Sequence, residues 1–481
     1  MKLNDILKGL EVLSATADMA QEITGVSYDS RTTAPGNVFV AISGEAVDGH
    51  RFIPIAAEKG AVCVVCERVP EGDIPYVQVK SSRKALALMA ANWFDHPACE
   101  MTMIGVTGTS GKTTSTYLIK SILEQKAGAR VGLIGTIQNM IGDRVLHTER
   151  TTPESFELQK LFRQMSDAGC THVVMEASSH ALYLDRVYGI RYAVGVYTNL
   201  SRDHLDFHHT MEEYCDAKAI LFDNCDVGVY NADDPWHERL LQNARCPRRF
   251  SYAVHTQADL TAKNVQLHPG SVDFDAEADT EWAQVHVDTP ALFTVYNALD
   301  AMACCWNLGV PLAECADALA KSHGVKGRME IIPTPGKSYT ILNDYSHKPD
   351  ALENVLQSVK GFAKGRTVVL FGCGGDRDKT KRPVMGAIAA QLADFVIVTS
   401  DNPRTEKPEA IIADILEGMK DTATPYVTIP DRVEAIHYAM DHAQPGDVII
   451  LAGKGHEDYQ EINHKHYPMD ERVIVAAHLN K

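Results

Sequence analysis

The feature of this chain that most constrains its fold is a short apolar strand that runs into a glycine-rich turn and then into a helix, at residues 103–125. The glycines allow backbone N–H groups to point toward a phosphate chain, and the start of the helix adds a favourable dipole. The lysine at the end of the turn reaches the outer phosphates, and the next hydroxyl can bind magnesium. The segment therefore predicts a nucleotide phosphate loop in an α/β domain, made by Gly108, Thr109, Ser110, Gly111, Lys112, Thr113 and Thr114.

This loop departs from the standard P-loop pattern at one position. The pattern GxxxxGK(S/T) requires glycine at position 106, where this chain has Val106, and Gly105 comes one residue too early. The loop is therefore a variant, which narrows the choice of nucleotide-binding family. An ordinary glycine-rich turn between a strand and a helix is the alternative interpretation.

The 481 residues divide into three stretches of different character. Residues 1–98 mix short strands with a helix near 83–94, which predicts a small α/β domain. Residues 99–327 alternate strands and helices and are interrupted by a β-rich segment near 250–290, which predicts a central, mostly parallel sheet. Residues 328–481 repeat the alternation and predict a second doubly wound, Rossmann-like domain. The expected fold class is therefore α/β with three domains.

Composition and charge exclude several classes of function. The formal net charge of −17 argues against a nucleic-acid partner, which requires a basic face. No stretch approaches the roughly 18 consecutive apolar residues of a membrane span, and the opening residues read as a small amphipathic helix instead of an export signal. Cys63 and Cys66 lie in an apolar run that is more typical of buried thiols than of zinc or redox chemistry. A cytoplasmic protein without membrane insertion is expected.

Two side chains in the central stretch are candidates for magnesium binding. Glu176 ends an apolar strand, and His204 follows the next strand along the chain. Ligands gather at the carboxyl ends of the strands in an open α/β sheet. A helix further on carries Lys218 among small and apolar neighbours. The spacing of His204 and His208 also fits zinc, but the chain has no HExxH and phosphate chemistry requires magnesium.

Together these motifs resemble the Mur ligases over almost the whole chain. The resemblance rests on the TGTxGKTT loop, on Glu-Ala-Ser-Ser-His at 176–180, on Asn-Leu-Ser-Arg-Asp-His-Leu-Asp at 199–206 and on Asp-Tyr-Ser-His-Lys-Pro-Asp at 344–350. It is strongest to the members that add the third residue of the peptidoglycan stem peptide. It implies an ATP-dependent ligase that forms an amide bond through an acyl phosphate, in cell wall biogenesis and so in cell shape and cell division.

The resemblance also implies the catalytic residues, which are Lys112, Glu176, His204 and Lys218. Lys218 would be carbamylated by carbon dioxide to N6-carboxylysine. This modification turns a cation that would repel Mg²⁺ into an anionic oxygen ligand, so Thr113, Glu176, His204 and the carbamate would hold magnesium. An ordinary helix lysine paired with a carboxylate is the alternative.

The implied nucleotide and sugar contacts fall in all three domains. Beyond the loop, ATP would contact Asn297, Arg328 and Asp344. Ser346 and Lys348 stand where relatives often carry Ala and Thr. The substrate UDP-N-acetylmuramoyl-L-alanyl-D-glutamate would contact Ser30, Thr151, Thr152, Ser178 and Arg186, together with the segment 44–49. Hydroxyl groups with an arginine suit a peptide carboxylate and sugar oxygens.

The amine substrate is implied by Asp-Asn-Pro-Arg at 401–404. meso-Diaminopimelate has a second carboxylate where L-lysine has only hydrogen. An arginine side chain binds that carboxylate with two hydrogen bonds. L-Lysine as the substrate would leave the arginine cation unpaired. The expected diaminopimelate contacts are Arg377, Asp401, Asn402, Pro403, Arg404, Gly453 and Glu457. L-Lysine as the amine, and a simple turn with a surface arginine, remain as alternatives.

Two other functions fit parts of the sequence. A folylpolyglutamate-synthetase-like ligase has similar loop chemistry, but it gives no reason for Asp-Ser-Arg at 29–31 or for Asp-Asn-Pro-Arg. A switch or motor NTPase predicts ATP hydrolysis that does not depend on an amino acid. We therefore expect a monomer that acts on three small molecules, namely ATP, the UDP-MurNAc-dipeptide and meso-diaminopimelate.

Overall fold

The computed structural model describes residues 1–44, 47–268, 270–322 and 324–480, so Glu45 and Ala46 of the expected sugar-binding segment lie outside the described residues. The chain forms two compact units, Met1–Ser251 and Tyr252–Lys481. Within the described ranges, no helix is both long enough and apolar enough to cross a membrane.

The first unit begins with a five-stranded sheet in the order β1-β5-β4-β3-β2. Its strands are β1 Val12–Ala15, β2 Gly25–Ser27, β3 Asn37–Val40, β4 Cys63–Cys66 and β5 Tyr76–Val79. Its helices are α1 Leu3–Ile6, α2 Ile53–Glu58 and α3 Ser82–Trp93. Strands β2 to β5 are parallel, and β1 is antiparallel to β5. Ser81 caps α3 by accepting a hydrogen bond from the amide of Lys84.

The rest of the first unit contains the predicted, mostly parallel sheet, in the order β12-β11-β6-β10-β7-β8-β9, in which β8 and β9 are antiparallel to their neighbours. Its strands are β6 Thr102–Thr107, β7 Val131–Ile134, β8 Asn139–Ile141, β9 Arg144–Leu146, β10 His172–Glu176, β11 Tyr192–Tyr197 and β12 Cys225–Asn231. Its helices are α4 Lys112–Lys126, α5 Ser155–Asp167, α6 Ser179–Tyr183, α7 Leu205–His208, α8 Met211–Asp223 and α9 His237–Asn243. In register, Val106 lies beside Glu176 on one neighbouring strand and Val196 on the other. The parallel pairing therefore places Glu176 next to the start of the phosphate loop.

The second unit begins with the predicted β-rich segment. Strand β13 Arg248–Ala253 runs from the first unit into the second, and it is followed by β14 Leu260–Leu267, β15 Val272–Ala278 and β16 Glu281–Val287. The last three strands are antiparallel to one another. Helices α10 Leu292–Asn307 and α11 Leu312–Ala320 follow. Helix α10 begins at Leu292, where an apolar pattern starts.

A six-stranded sheet in the order β17-β18-β22-β19-β20-β21 forms the rest of the second unit. Its strands are β17 Glu330–Ile332, β18 Thr340–Asp344, β19 Thr367–Phe371, β20 Phe395–Val398, β21 Tyr426–Thr428 and β22 Val448–Ala452, and a separate hairpin joins β23 Tyr459–Ile462 to β24 Lys465–Pro468. Its helices are α12 Pro349–Lys360, α13 Lys381–Leu392, α14 Pro408–Glu417, α15 Arg432–Asp441 and α16 Glu471–Leu479. Strands β18 to β22 are parallel, and only β17 runs against its neighbour.

These elements confirm the predicted α/β class, and the boundaries at 98/99 and 327/328 stay predictions. Cys63 and Cys66 lie buried on β4, as expected of core residues. Burial raises the pKa of the two thiols to about 12 and about 11. The strand order of the third sheet could not be predicted, because it depends on pairing between segments distant in sequence.

Candidate active site

The phosphate loop has a backbone that only glycine can follow at two positions. At Gly108 φ is 151°, and at Gly111, just before α4, φ is 88°. A Cβ atom at Gly108 would lie 1.8 Å from Oγ1 of Thr198. The variant pattern therefore keeps its glycines where the turn requires them, although position 106 lies inside strand β6.

The loop is anchored by the segment that follows β11. The side chain of Asn199 accepts a hydrogen bond from the amide of Ser110 at 3.0 Å, and the hydroxyl of Thr198 donates to the carbonyl of Ser110 at 2.6 Å. The ammonium group of Lys112 donates to the carbonyls of Gly108 and Thr109 at 2.8 and 3.0 Å. The lysine is thereby held at the turn, beside the N-terminus of α4.

Glu176 is buried, with 1% of its surface exposed, and its carboxylate is held by neutral donors. Its Oε1 accepts hydrogen bonds from the hydroxyl of Thr113 at 3.0 Å and from the amide of Thr136 at 2.8 Å. Its Oε2 accepts from the hydroxyl of Thr136 at 3.0 Å. A Cβ at Gly135 would lie 2.5 Å from Oε1, so a glycine is required there. A buried carboxylate whose described hydrogen-bond donors are neutral is a favourable site for a cation.

A chain of hydroxyl groups links Glu176 to the residues expected to bind the sugar peptide. Oγ1 of Thr136 lies 3.0 Å from Oγ1 of Thr151, and the hydroxyl of Thr152 donates to the carbonyl of Glu176 at 2.7 Å. The amide of Ser178 donates to Oγ1 of Thr152 at 3.2 Å. We call Thr113, Thr136, Thr151, Thr152 and Glu176 the phosphate-side cluster.

Arg186 joins this cluster through its guanidinium group. Its Nη1 donates to the carbonyl of Thr152 at 3.2 Å, and its Nε lies 3.3 Å from a carboxylate oxygen of Glu154. Burial lowers the pKa of Arg186. The structure thus brings together Thr151, Thr152, Ser178 and Arg186, and their role in binding the sugar peptide stays a prediction.

Lys218 lies on α8 and is buried, with 1% of its surface exposed. Its ammonium nitrogen lies 4.3 Å from the centre of the Tyr214 ring, one helical turn earlier. The hydroxyl of Tyr214 lies 3.1 Å from Oγ1 of Thr109 in the phosphate loop. Tyr214 therefore connects Lys218 with the loop.

His204 lies near the same tyrosine. Its ring centre is 6.0 Å from that of Tyr214 and 4.7 Å from that of His180, and its backbone is left-handed with φ 52°. Its Nε2 lies 3.2 Å from a carboxylate oxygen of Asp203. Within the described ranges, no group of three or more His, Cys, Asp and Glu side chains has the arrangement of a metal site.

Ser30 of the N-terminal sheet domain is buried, and no described contact joins it to the phosphate-side cluster. That domain does meet the central one at a neighbouring position, where the Tyr28 hydroxyl donates to Glu157 at 2.8 Å. Burial, followed by the hydrogen bond to Glu157, raises the pKa of Tyr28. The rings of Phe94 and Phe156 pack with their centres 5.2 Å apart.

In the second unit, Arg328 and Asp344 lie together. The Arg328 guanidinium is 4.9 Å from the centre of the Tyr345 ring, and Asp344 accepts from the amide of Met329 at 2.8 Å and from the hydroxyl of Ser346. Burial raises the pKa of Asp344. Asn297 is buried on α10, and no described contact joins it to Arg328 or Asp344.

The residues expected to bind the amine lie around one buried lysine. Lys454 is fully buried and donates to Oδ1 of Asn402 at 2.5 Å, to Oε2 of Glu457 at 3.1 Å and to the carbonyl of Tyr459 at 2.7 Å. Asn402 also donates to Glu457 at 3.0 Å. Although burial opposes ionisation, Lys454 holds the pKa of Asp401 below its ordinary value.

Arg404 is held beside this network by the hairpin of β23 and β24. Its Nε donates to Oε2 of Glu461 at 2.8 Å, and its Nη1 donates to the carbonyl of Gly375 at 2.8 Å. We call Asn402, Arg404, Lys454, Glu457 and Glu461 the amine-side cluster. Gly453 is close to it, because a Cβ there would lie 2.6 Å from Asp401.

Two further predicted residues flank the amine-side cluster. Pro403 is buried between Asn402 and Arg404. Arg377 is exposed, and its described hydrogen bond goes to the carbonyl of Asp376. The structure therefore groups most of the predicted amine contacts, with Arg377 at the surface.

A buried ion pair supports both loops of this site. Arg432 and Glu471 are each fully buried and lie 2.8 Å apart. Arg432 also donates to the carbonyl of Ser400, before the Asp-Asn-Pro-Arg loop, and to that of Ala452, before Gly453. The pair thus fixes the ends of strands β20 and β22.

The sequence analysis missed Thr136, Tyr214, Lys454, Arg432 and Glu461. Tyr214 stands four residues before Lys218 on the same helix, which is the spacing of neighbours on a helix face, so it could have been found. Lys454 lies between Gly453 and Gly455, next to the predicted contact Gly453. The roles of Thr136 and Glu461 depend on contacts across 40 and 57 positions of sequence, which no local pattern reveals.

Comparison with known families and structures gives a consistent result. Three family models match the chain, described as the Mur ligase family catalytic domain at residues 22–94, the Mur ligase middle domain at 106–305 and the Mur ligase glutamate ligase domain at 327–455. UDP-N-acetylmuramoyl-L-alanyl-D-glutamate--2,6-diaminopimelate ligase of Clostridium tetani is 46% identical over 99% of this chain and 98% of that protein. The protein of the same name from Clostridium botulinum is 45% identical over 99% of both. A solved structure with that enzyme name has a TM-score of 0.73 and 31% identity, covering 100% of this chain and 99% of that one.

Proposed function

Because the chain belongs to the Mur ligase family, we propose that it joins meso-diaminopimelate to UDP-N-acetylmuramoyl-L-alanyl-D-glutamate in peptidoglycan precursor synthesis. It is an ATP-dependent ligase that forms an amide bond. The observation that carries the choice of amine is the amine-side cluster, in which Arg404 is fixed beside Asn402 and Glu457. An arginine there pairs with the distal carboxylate of diaminopimelate, and Glu457 accepts from the adjacent ammonium group.

The phosphate-side cluster supports phosphoryl transfer from ATP to the D-glutamate side-chain carboxylate. The loop from Gly108 to Thr114 offers backbone N–H groups, and Lys112 offers positive charge to the transferring group. Thr113 and Glu176 supply the hard oxygen ligands that Mg²⁺ prefers. Bound magnesium would neutralise charge on the phosphates. Asn297, Arg328 and Asp344 are proposed to contact the nucleotide.

Lys218 is proposed to act as a carbamate. A neutral amine and carbon dioxide give an N-carboxylate and a proton, which replaces a cation with an anionic oxygen ligand. The proposal rests on the burial of Lys218 and on its link through Tyr214 to the phosphate loop. With Glu176 and His204, the carbamate would complete a magnesium site.

The carbamate is tested with Lys218→Arg, which keeps the positive charge but whose guanidinium group does not form a carbamate with carbon dioxide. We expect kcat to fall by about a thousandfold, since several kcal/mol of charge stabilisation is lost. With carbon-13-labelled bicarbonate, the unaltered protein should show a carbamate carbonyl signal that the variant lacks. Full activity of Lys218→Arg would refute the modification.

The sugar peptide is proposed to bind at Ser30, Thr151, Thr152, Ser178 and Arg186. The contacts among the last four support one polar surface that leads to Glu176. We also propose domain boundaries after residues 98 and 327, a monomer, and action in the cytoplasm, where ATP and nucleotide sugars are available.

The deciding experiment measures phosphate release with ATP, Mg²⁺ and UDP-MurNAc-dipeptide, in the presence of meso-diaminopimelate, L-lysine or no amine. We expect release to require diaminopimelate, with formation of the tripeptide product seen by mass spectrometry. Equal rates with L-lysine would contradict the proposed amine. Equal release without any amine would indicate an NTPase and would contradict the ligase function.

A further inference from the structure

The hairpin of β23 and β24 provides a carboxylate that pairs with Arg404. Glu461 lies on β23, and its Oε2 lies 2.8 Å from Nε of Arg404. The two side chains are 20% and 17% exposed, so the pair is largely shielded from water. An ion pair at this depth is stronger than one at the surface.

The same hairpin also holds the backbone of Arg404. The residue has φ of 52°, in the left-handed region that is unfavourable for a side chain other than glycine. Its amide donates to the carbonyl of Glu461 at 3.1 Å, and its carbonyl accepts from the amide of Asn463 at 2.9 Å. Such a strained conformation persists only where surrounding contacts determine it.

These contacts use two of the three guanidinium nitrogen atoms, Nε and Nη1. Glu461 takes Nε, and the carbonyl of Gly375 takes one hydrogen of Nη1 at 2.8 Å. No described residue forms a hydrogen bond with Nη2 of Arg404. The planar guanidinium has five N–H donors, so two on Nη2 and one on Nη1 remain to bind a carboxylate.

We infer that Glu461 is a positioning residue for amine selection, which orients Arg404 so that its outer edge meets the distal carboxylate of the amine substrate. This inference rests on the proposed role of Arg404 in binding diaminopimelate. Glu461 does not touch the substrate in this account. It removes the freedom of a long side chain before the substrate binds, so less entropy is lost on binding.

The experiment compares Glu461→Ala, Glu461→Gln and Arg404→Ala by steady-state kinetics. For Glu461→Ala we expect the KM for diaminopimelate to rise about tenfold, with kcat and the KM values for ATP and the UDP-MurNAc-dipeptide changed less than about twofold. Glu461→Gln keeps a hydrogen-bond acceptor for Arg404, so the KM for diaminopimelate should rise only about threefold. Arg404→Ala should raise the same KM about a hundredfold.

Lys465→Ala provides a matched control, because Lys465 is exposed on β24 of the same hairpin. It should leave all three KM values unchanged. The discrimination between diaminopimelate and L-lysine gives a second readout, because a loosened Arg404 lowers kcat/KM for diaminopimelate and not for lysine. A merely structural role for Glu461 would alter the KM values of all substrates together.

The outcomes separate the inference from the function on which it rests. An unchanged or lower KM for diaminopimelate in Glu461→Ala, together with a large rise in Arg404→Ala, would overturn the role of Glu461 alone. An unchanged KM in Arg404→Ala would overturn the proposed amine site and this inference with it. In the double variant, we expect the rise to equal that of Arg404→Ala alone, because Glu461 acts only through that arginine.

Discussion

The phosphate-side cluster of the first unit contains a buried carboxylate and the amine-side cluster of the second contains partly buried ones, and the partners of these carboxylates differ. Glu176 accepts from two threonine hydroxyls and one amide, which are all neutral. Glu457 lies 3.1 Å from the ammonium group of Lys454, and Glu461 lies 2.8 Å from Arg404. Among the described hydrogen bonds, the carboxylate of the phosphate-side cluster has neutral donors, while those of the amine-side cluster pair with cations.

This difference fits the proposed ligands. A magnesium ion brings charge that Glu176 can balance, so a protein cation at that place would compete with it. Diaminopimelate carries as many cationic as anionic groups, and it needs donors and acceptors at fixed positions more than it needs net charge. The amine-side cluster supplies such positions through ion pairs that are already formed.

Glu176→Gln tests the first half of the comparison and should have the largest effect. The amide keeps the shape and removes the charge, so we expect kcat to fall about a thousandfold through loss of cation binding. The melting temperature should not fall, because a buried charge with neutral partners is removed. Glu457→Gln is the control, since it removes an ionic partner of Lys454 and should lower the melting temperature. A lower melting temperature for Glu176→Gln would show that the two clusters do not differ in this way.

Glu471→Gln tests whether the second unit depends on its buried ion pairs. The change leaves the fully buried Arg432 without its carboxylate, which destabilises a protein by about 3 kcal/mol. Calorimetry should show a melting temperature lower by roughly 5 °C or more in the transition of the second unit. Exposed Glu417→Gln, which removes a surface pair with Lys420, serves as the control and should change little. Equal behaviour of the two variants would contradict the supporting role of Arg432.

Thr136→Val tests the hydroxyl chain of the phosphate-side cluster. The variant keeps the hydrogen bond from the backbone amide of residue 136 to Glu176. It removes the hydroxyl that contacts both Glu176 and Thr151. We expect kcat to fall about tenfold, which corresponds to roughly 1.4 kcal/mol. Thr136→Ser, which restores the hydroxyl, should recover most of the activity. Equal losses in the two variants would show that the methyl group matters and not the hydroxyl.

Much of the site in the first unit could be predicted from the sequence, because its residues lie in contiguous motifs. The loop from Gly108 to Lys112 and the strand that ends at Glu176 carry their chemistry in local sequence, and parallel strands bring their carboxyl ends to one edge. Thr136 could not be predicted, because it reaches Glu176 only through the turn after β7. Nothing in the residues around it distinguishes it from any other threonine after a strand.

The amine-side cluster of the second unit was harder to predict from the sequence. Asn402, Arg404 and Glu457 were found by resemblance, but the residues that hold them were not. Lys454 reads as a flexible loop lysine between glycines, and its full burial becomes visible only once the hairpin and the loop at 401–404 meet. Buried ion pairs join partners from distant segments, so they depend on tertiary structure and leave no local pattern.

Acid stability offers the smallest effect, and it compares one buried histidine of each unit. Burial lowers the pKa of His208 in the first unit and of His347 in the second to about 4, against an ordinary value of 6.5. Between pH 6.5 and about pH 4, each of these histidines is protonated in the unfolded chain and neutral in the folded chain. Stability is therefore lost as the pH falls through this window. We expect the melting temperature to drop by a few degrees between pH 7 and pH 5, and His347→Phe should reduce the drop for the second unit only. His442→Phe, at an exposed position on the same unit, is the control and should leave the drop unchanged. If His347→Phe showed the full drop, the second unit would owe its acid sensitivity to its carboxylates, and the contrast between its ion pairs and the neutral contacts of Glu176 would be sharpened.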